Sequence, residues 1–235
     1  EGEIDPSLLT SDDKWILLRL DCAIREVTQA FAEYHFNEAT QTLYRFFWSE
    51  YCDWYVEASK AALRPLEEFR PEGVDTAPVV TIQPFDGSTS ADALRANKLA
   101  VIDFVLGHTL RLLHPFLPFI TEELWQGLGF NRDLPDNQGG RTIMFAHWPK
   151  PLDEDFREHY GLDESDERLV KAKHDLVTRA RNLRREYNLP TNRKIPFIFK
   201  PNGELAEHET QVLRLLLNAE PFKVDSQYQP TKGTP

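Results

Sequence analysis

The chain is predicted to be mainly α: an up-down helical bundle with a small α/β appendage at its C-terminal end. Three observations predict it. Apolar residues recur at helical spacing through long stretches in series. A proline-broken run, Leu112-Leu113-His114-Pro115-Phe116-Leu117-Pro118-Phe119-Ile120-Thr121-Glu122-Glu123-Leu124-Trp125, stops one helix and starts another within a dozen residues. After residue 190 the pattern changes to strand, helix, strand.

Residues 1–11 read as an extended lead-in. A first helix is predicted over about 12–34, with Asp12 and Asp13 at its start, where acidic side chains are favoured. Ile16, Leu20, Ala23, Val27, Ala30 and Tyr34 mark its apolar stripe. A second helix runs over about 36–63, with Ala39, Leu43, Phe47, Trp54, Ala58 and Ala61 inward, and Pro65 ends it. Residues 64–90 hold four prolines, two glycines and a Ser-Thr-Ser patch, and read as a long loop in which Val79 to Ile82 form a strand-like segment. A third helix follows over 91–114, its stripe being Leu99, Ile102, Leu106, Thr109 and Leu113.

Pro115 disfavours helical backbone at His114 and removes a donor, so the third helix ends there. Pro118 suits the start of a fourth, over about 119–128, with Thr121, Glu122 and Glu123 near its first turn. Phe116, Phe119, Leu124 and Trp125 are expected to fill the corner. Residues 129–163 are loop-like, and Phe145 and Trp148 should tuck beneath them. A fifth helix over 165–188 has Leu169, Ala172, Leu176, Ala180, Leu183 and Tyr187 on one face, with Lys171, His174, Thr178, Arg181 and Arg185 opposite. Ile195 to Lys200 reads as a strand, Asn202-Gly203 as a turn, 204–218 as a helix, Phe222 to Val224 as a second strand, and the residues from Ser226 as frayed. Such a unit is marginal alone and should lean on the bundle. Two domains are expected: a bundle over 1–160 with a loop insertion at 64–90, and the basic helix with the strand–helix–strand unit over 161–235.

No stretch is apolar enough to span a membrane, and no secretory segment heads the chain. Cys22 and Cys52 sit among apolar neighbours and read as reduced thiols, and no Cys/His cluster has zinc spacing. The chain opens on Glu1 and its single methionine is Met144, as expected of a piece of a longer polypeptide. Net charge is −11, yet residues 168–200 hold ten basic and two acidic side chains, +8, leaving the rest at −19. That asymmetry suits one surface facing a polyanion, although a solvated helix with surplus arginine reads the same way.

Catalytic patterns are missing. There is no phosphate-cradling Gly-rich loop. Gly107-His108-Thr109 lies mid-helix, where His108 suits packing. Glu122 and Glu123 are adjacent on a helix and point apart, so they read as helix-start charge.

The elbow run, taken with Phe46-Phe47-Trp48-Ser49-Glu50-Tyr51-Cys52-Asp53-Trp54-Tyr55-Val56-Glu57, resembles the anticodon-binding helical region of class I aminoacyl-tRNA synthetases. Within that group it is most similar to the valyl enzymes. The resemblance covers 12–128 well and 165–200 moderately. Leucyl and isoleucyl relatives share the elbow in altered form, and the Trp-x-Glu-aromatic-Cys-Asp-Trp-Tyr block points to valine. The family's His-Ile-Gly-His and Lys-Met-Ser-Lys-Ser signatures are absent, as are the heptads of its C-terminal arm, and its 64–90 junction is usually shorter.

The resemblance implies a tRNA-binding portion of a valine–tRNA ligase, without catalysis or cofactor of its own. The parent enzyme would use ATP and magnesium elsewhere, and would be a cytoplasmic monomer. It also nominates residues. Arg19, the corner Tyr34, Phe36 and Asn37, and Arg45 match the part of the family fold that meets the anticodon stem-loop. Lys171, Arg181, Arg184, Arg185 and Lys194 belong to the basic segment expected along the RNA backbone. Other readings stay open: a hydrophobic staple for Tyr34 and Phe36, ion pairs for Arg19 and Arg45, and core packing for Trp48, Trp54 and Tyr55. The whole chain could also be the same region of an isoleucyl or leucyl enzyme, or a helical scaffold that binds only protein.

Overall fold

A computed structural model describes residues 3–63, 90–190, 192–201 and 205–229. Residues 64–89 of the expected loop, its strand-like segment and the Asn202-Gly203 turn lie outside the described residues, and Ser90 already belongs to a helix. Helix α1 (Ser11–Ala32) starts on a capping box: Thr10 and Asp13 exchange side-chain and backbone hydrogen bonds. Helix α2 (Phe36–Tyr44) runs into a π-helical segment (Arg45–Val56) and then α3 (Glu57–Leu63). Helix α4 (Ser90–Leu113), the elbow and α5 (Pro118–Gly127) follow. After α6 (Glu154–His159), the long α7 (Glu164–Glu186) leads to β1 (Ile195–Phe199), α8 (Glu207–Leu216) and β2 (Ala219–Val224). The two strands pair in parallel, and α8 packs on α3, so the appendage leans on the bundle.

The π-helical segment has a visible cause. The buried side chains along it are Phe46, Tyr51 and Tyr55. The five-residue step from Phe46 to Tyr51 matches the wider π turn. It passes over Ser49 and Glu50, which remain at the surface end of the turn.

The core centres on α1, where Ile16, Leu17, Leu20, Ile24 and Val27 have no accessible surface. Two helices are rotated from their expected faces by one residue. On α4 the inward row is Lys98, Val101, Val105, Thr109 and Leu112, while Leu99 is exposed. On α7 it is Val170, Lys173, Val177, Ala180 and Arg184, while Leu169, Leu183 and Tyr187 are exposed. In both, a lysine lies on the inward row because a carboxylate awaits it. Lys98 Nζ donates to Asp13 Oδ1 at 2.5 Å and to Thr10 Oγ1 at 3.0 Å, and Tyr55 Oη donates to the same Asp13 oxygen at 2.7 Å. Lys173 Nζ lies 2.8 Å from Asp12 and 2.6 Å from Glu209. The Ser11 hydroxyl also bonds Glu209. Burial opposes ionisation of Glu209, but hydrogen bonding from His208 and the Lys173 ammonium hold its carboxyl at about 2. Burial pushes Asp12 up, against the pull of Lys173. The first turn of α1 therefore ties α4, the π-helical segment, α7 and α8 together.

The elbow forms as expected, with Pro118 in the first turn of α5. His114 Nδ1 and Thr121 Oγ1 lie 2.7 Å apart across it. Its filling differs. Trp125 is buried, its Nε1 donating to the Gly139 carbonyl at 2.9 Å, and Phe116 packs on the core. Phe119 is 90 % exposed and Leu124 also faces outward, because Thr121 and Trp125 take the inward face. Glu122 is not helix-start charge, since α5 begins at Pro118 and has no acidic residue in its first turn; it accepts from Thr142 Oγ1 at 2.7 Å and Ile143 N at 3.0 Å, strapping the following loop. That loop passes so close at Gly140 that a Cβ would sit 2.1 Å from the Leu134 oxygen. Trp148 tucks under it, bonded to Thr28 at 2.9 Å, but Phe145 is exposed. His108 is packed, with Nδ1 2.8 Å from the Phe104 carbonyl, and burial and then Arg111 lower its pKa to about 4. Cys22 and Cys52 are free and half-buried.

Candidate nucleic-acid interface

An open furrow of about 270 Å³ lies between three elements. Helix α1 contributes Trp15 and Arg19, the π-helical segment Arg45, Ser49, Glu50 and Trp54, and α7 Glu167, Lys171 and His174. Trp54 is its floor. His174 stacks on it with ring centroids 3.8 Å apart, and Arg181 sits over its ring at 5.5 Å. Three of the predicted residues, Arg19, Arg45 and Lys171, thus meet in one place, with Arg181 at the edge.

The two arginines are not bare cations. Arg19 makes a two-point contact with Glu50, at 2.9 and 3.0 Å, and reaches Glu167 at 3.5 Å. Arg45 lies 2.6 Å from Glu26 and 3.8 Å from Glu50. Arginine–carboxylate pairs present donors and acceptors side by side, which suits the edge of a base better than a phosphate. Cations without such neutralisation among the described residues lie along α7: Arg168, Lys171, Arg179 and Arg185 are exposed, Arg185 bonding the neutral Asn182 amide at 2.9 Å.

The corner residues stand apart from the furrow. Tyr34 follows the end of α1 with a positive φ of 61° and is 79 % exposed, so it leaves the apolar stripe it was expected to extend. Phe36 is held at the corner by an edge contact with Phe31, centroids 5.6 Å apart. Asn37 is exposed beside it. From Arg19 to the end of α1 at Ala32 is thirteen residues, about 20 Å at the helical rise, and Tyr34 lies beyond it.

Two nominated residues are placed elsewhere. Arg184 is buried: it donates to the Leu217 carbonyl at 2.6 Å and to the Arg193 carbonyl, joining α7 to the appendage. It falls on the inward row of α7, so its charge is not presented to a polyanion. Lys194 is exposed but paired with Glu220, which also meets Arg214 at 3.3 Å. Sequence reasoning undervalued Trp48, expected in the core and found 53 % exposed, and passed over Tyr44, which is 67 % exposed and stacked on it. Their i, i+4 spacing on an outer face was the available signal.

Residues 13–199 match the family model described as the anticodon-binding domain of tRNA ligase. The chain belongs to that family. Its relatives include the valine–tRNA ligase of Thermotoga maritima, 34% identical over 99% of this chain and 22% of the relative. That of Fervidobacterium nodosum is 34% identical over 93% of the chain and 20% of the relative, and that of Listeria innocua 29% identical over 98% and 22%. The chain thus spans about a fifth of the length of these curated relatives. The matched stretch of this anticodon-binding domain takes in both the Trp54 block and all of α7, the two sides of the furrow.

Proposed function

We propose that this chain binds the anticodon stem-loop of a valine tRNA, as one part of a valine–tRNA ligase. The observation that carries the reading is the furrow in which an aromatic floor, arginine–carboxylate pairs and the flank of a basic helix converge. Unpaired bases need planes to stack on and paired donors and acceptors at their edges, and phosphates need exposed cations. Trp54 with His174 and Arg181 offers the planes, Arg19 with Glu50 the edge contacts, and Lys171, Arg179 and Arg185 the cations. The relatives that cover nearly the whole chain bear the name of the valine enzyme, which supports valine over isoleucine or leucine.

In this reading the whole ligase is a cytoplasmic monomer that joins valine to tRNA with ATP and magnesium. Among the described residues no group of three or more His, Cys, Asp or Glu side chains is arranged to hold a metal ion. In this reading the chemistry falls to the part of the relatives that this chain does not match. Binding energy gathered at the anticodon would orient the far end of the tRNA at the reacting centre.

The test is a filter-binding titration of the full chain with valine tRNA and with a version carrying a swapped anticodon. The valine tRNA should bind more tightly, and equal affinity for both removes the anticodon role. Arg179→Ala with Arg185→Ala should weaken binding to both RNAs alike and lower the salt slope by about one unit per lost phosphate contact. An unchanged slope assigns that face of α7 to solvent.

A further inference from the structure

Beyond the furrow, one exposed row running from α2 into the π-helical segment is left unexplained by packing. Asn37, Gln41, Tyr44 and Trp48 follow one another at i, i+4, i+7 and i+11, and all four are exposed. The Tyr44 and Trp48 rings lie 11° from parallel with centroids 6.4 Å apart. Two large aromatic rings ordered against each other in water, rather than against the core, form a flat apolar surface with nothing of this chain covering it among the described residues. The two amides carry no side-chain hydrogen bond among the described residues either. At the helical rise the row is about 16 Å long. It starts at the Tyr34–Phe36 corner and ends next to Ser49 and Glu50, so it joins the corner to the furrow. None of the four side chains is acidic, unlike the ion-paired neighbours Glu26 and Glu50.

We propose that Tyr44 and Trp48 form a stacking platform for an unpaired nucleobase, with Gln41 and Asn37 contacting the bases that continue along the row toward the corner. This rests on the anticodon-binding reading and adds a site to it. The chemistry fits a base better than an apolar protein surface. The row continues two flat rings with two amides, which have the donor and acceptor of a base edge. Arg45, next to Tyr44 in the chain, is half-exposed and paired with Glu26 at 2.6 Å. Stacking would contribute affinity without strong base preference, since every base offers a π face. Preference would come from the amides and from the arginine–carboxylate pairs of the furrow.

The experiment uses the full chain and an RNA hairpin carrying the anticodon loop of valine tRNA, together with hairpins in which each loop base is removed in turn. Trp48→Ala should weaken binding of the intact hairpin roughly tenfold or more, within the range for one stacked base. Trp48→Phe should keep most of the affinity, and the salt slope should stay that of the wild type, since no phosphate contact is lost. Removing one particular loop base should cost the wild type as much as Trp48→Ala does, and cost Trp48→Ala little more. Wild-type affinity in Trp48→Ala overturns the platform, as does a loss that simply adds to that of every base removal. Failure of the wild type to bind any hairpin removes the anticodon reading and the platform together, whereas the first two outcomes remove the platform alone.

Discussion

Trp54 and His174 lie face to face, ring centroids 3.8 Å apart and planes 22° from parallel. One belongs to the aromatic block of the π-helical segment and the other to the basic helix α7, so the stack joins two parts of the chain 120 residues apart in sequence. Trp15 closes the third side, its ring edge meeting the imidazole at 4.9 Å. This sandwich makes the basic helix a wall of the furrow.

The stack predicts a pH dependence. Burial, then the nearby Lys173 ammonium, lowers the His174 pKa from its usual 6.5 to about 4. The unfolded chain takes up that proton near 6.5 and the folded chain only near 4. Over this interval the unfolded state binds more protons, so stability falls as pH drops from about 6.5 to 4. His108, also lowered to about 4, acts with the same sign. Urea unfolding at a series of pH values should show a shallower decline in His174→Gln than in the wild type across this window. An identical decline would mean that the imidazole is not held neutral by the stack.

A larger effect is expected at Lys173. Its ammonium stands between the buried carboxylates of Asp12 and Glu209. Lys173→Met leaves two buried acids without their cation and should destabilise the chain by about 3–5 kcal/mol. Urea or thermal unfolding measures it. A cost below about 1 kcal/mol would mean that water reaches the cluster.

Arg184→Ala separates structure from binding. The guanidinium serves carbonyls of α7's continuation and the appendage, and its loss leaves those buried acceptors unpaired, a cost of about 2–4 kcal/mol from charge-assisted bonds. Faster amide exchange in β1 and β2 should report it, with the salt slope of RNA binding unchanged. A lowered slope would return Arg184 to the RNA contacts.

Much of this architecture was legible residue by residue. Pro115 and Pro118 act on the backbone of their neighbours, so the elbow could be placed from sequence. Thr10, Asp12 and Asp13 mark the start of α1 by local hydrogen bonding. The stripe Ile16, Leu20, Ala23, Val27 and Ala30 is buried as its spacing predicts. Of the candidate site, the sequence named residues that meet in space, with Arg19, Arg45 and Lys171 lining one furrow and Arg181 at its edge, while Arg184 turned inward and Tyr44 with Trp48 turned outward.

The turned faces of α4 and α7 share a cause. Leu99 on α4 and Leu169 on α7 looked inward because leucine outranks lysine on any local scale. The helices instead present Lys98 and Lys173, whose partners Asp13, Asp12 and Glu209 are 36 to 161 residues away. A buried cation is tolerable only beside its counter-charge, and no window of sequence contains both. Helix extents and breaks follow from short-range sterics, capping and apolar spacing, which neighbouring residues settle among themselves. How each helix is turned about its axis, and which arginines remain available to RNA, follows from desolvation and charge pairing across the fold. Those energies exist only once distant segments have met.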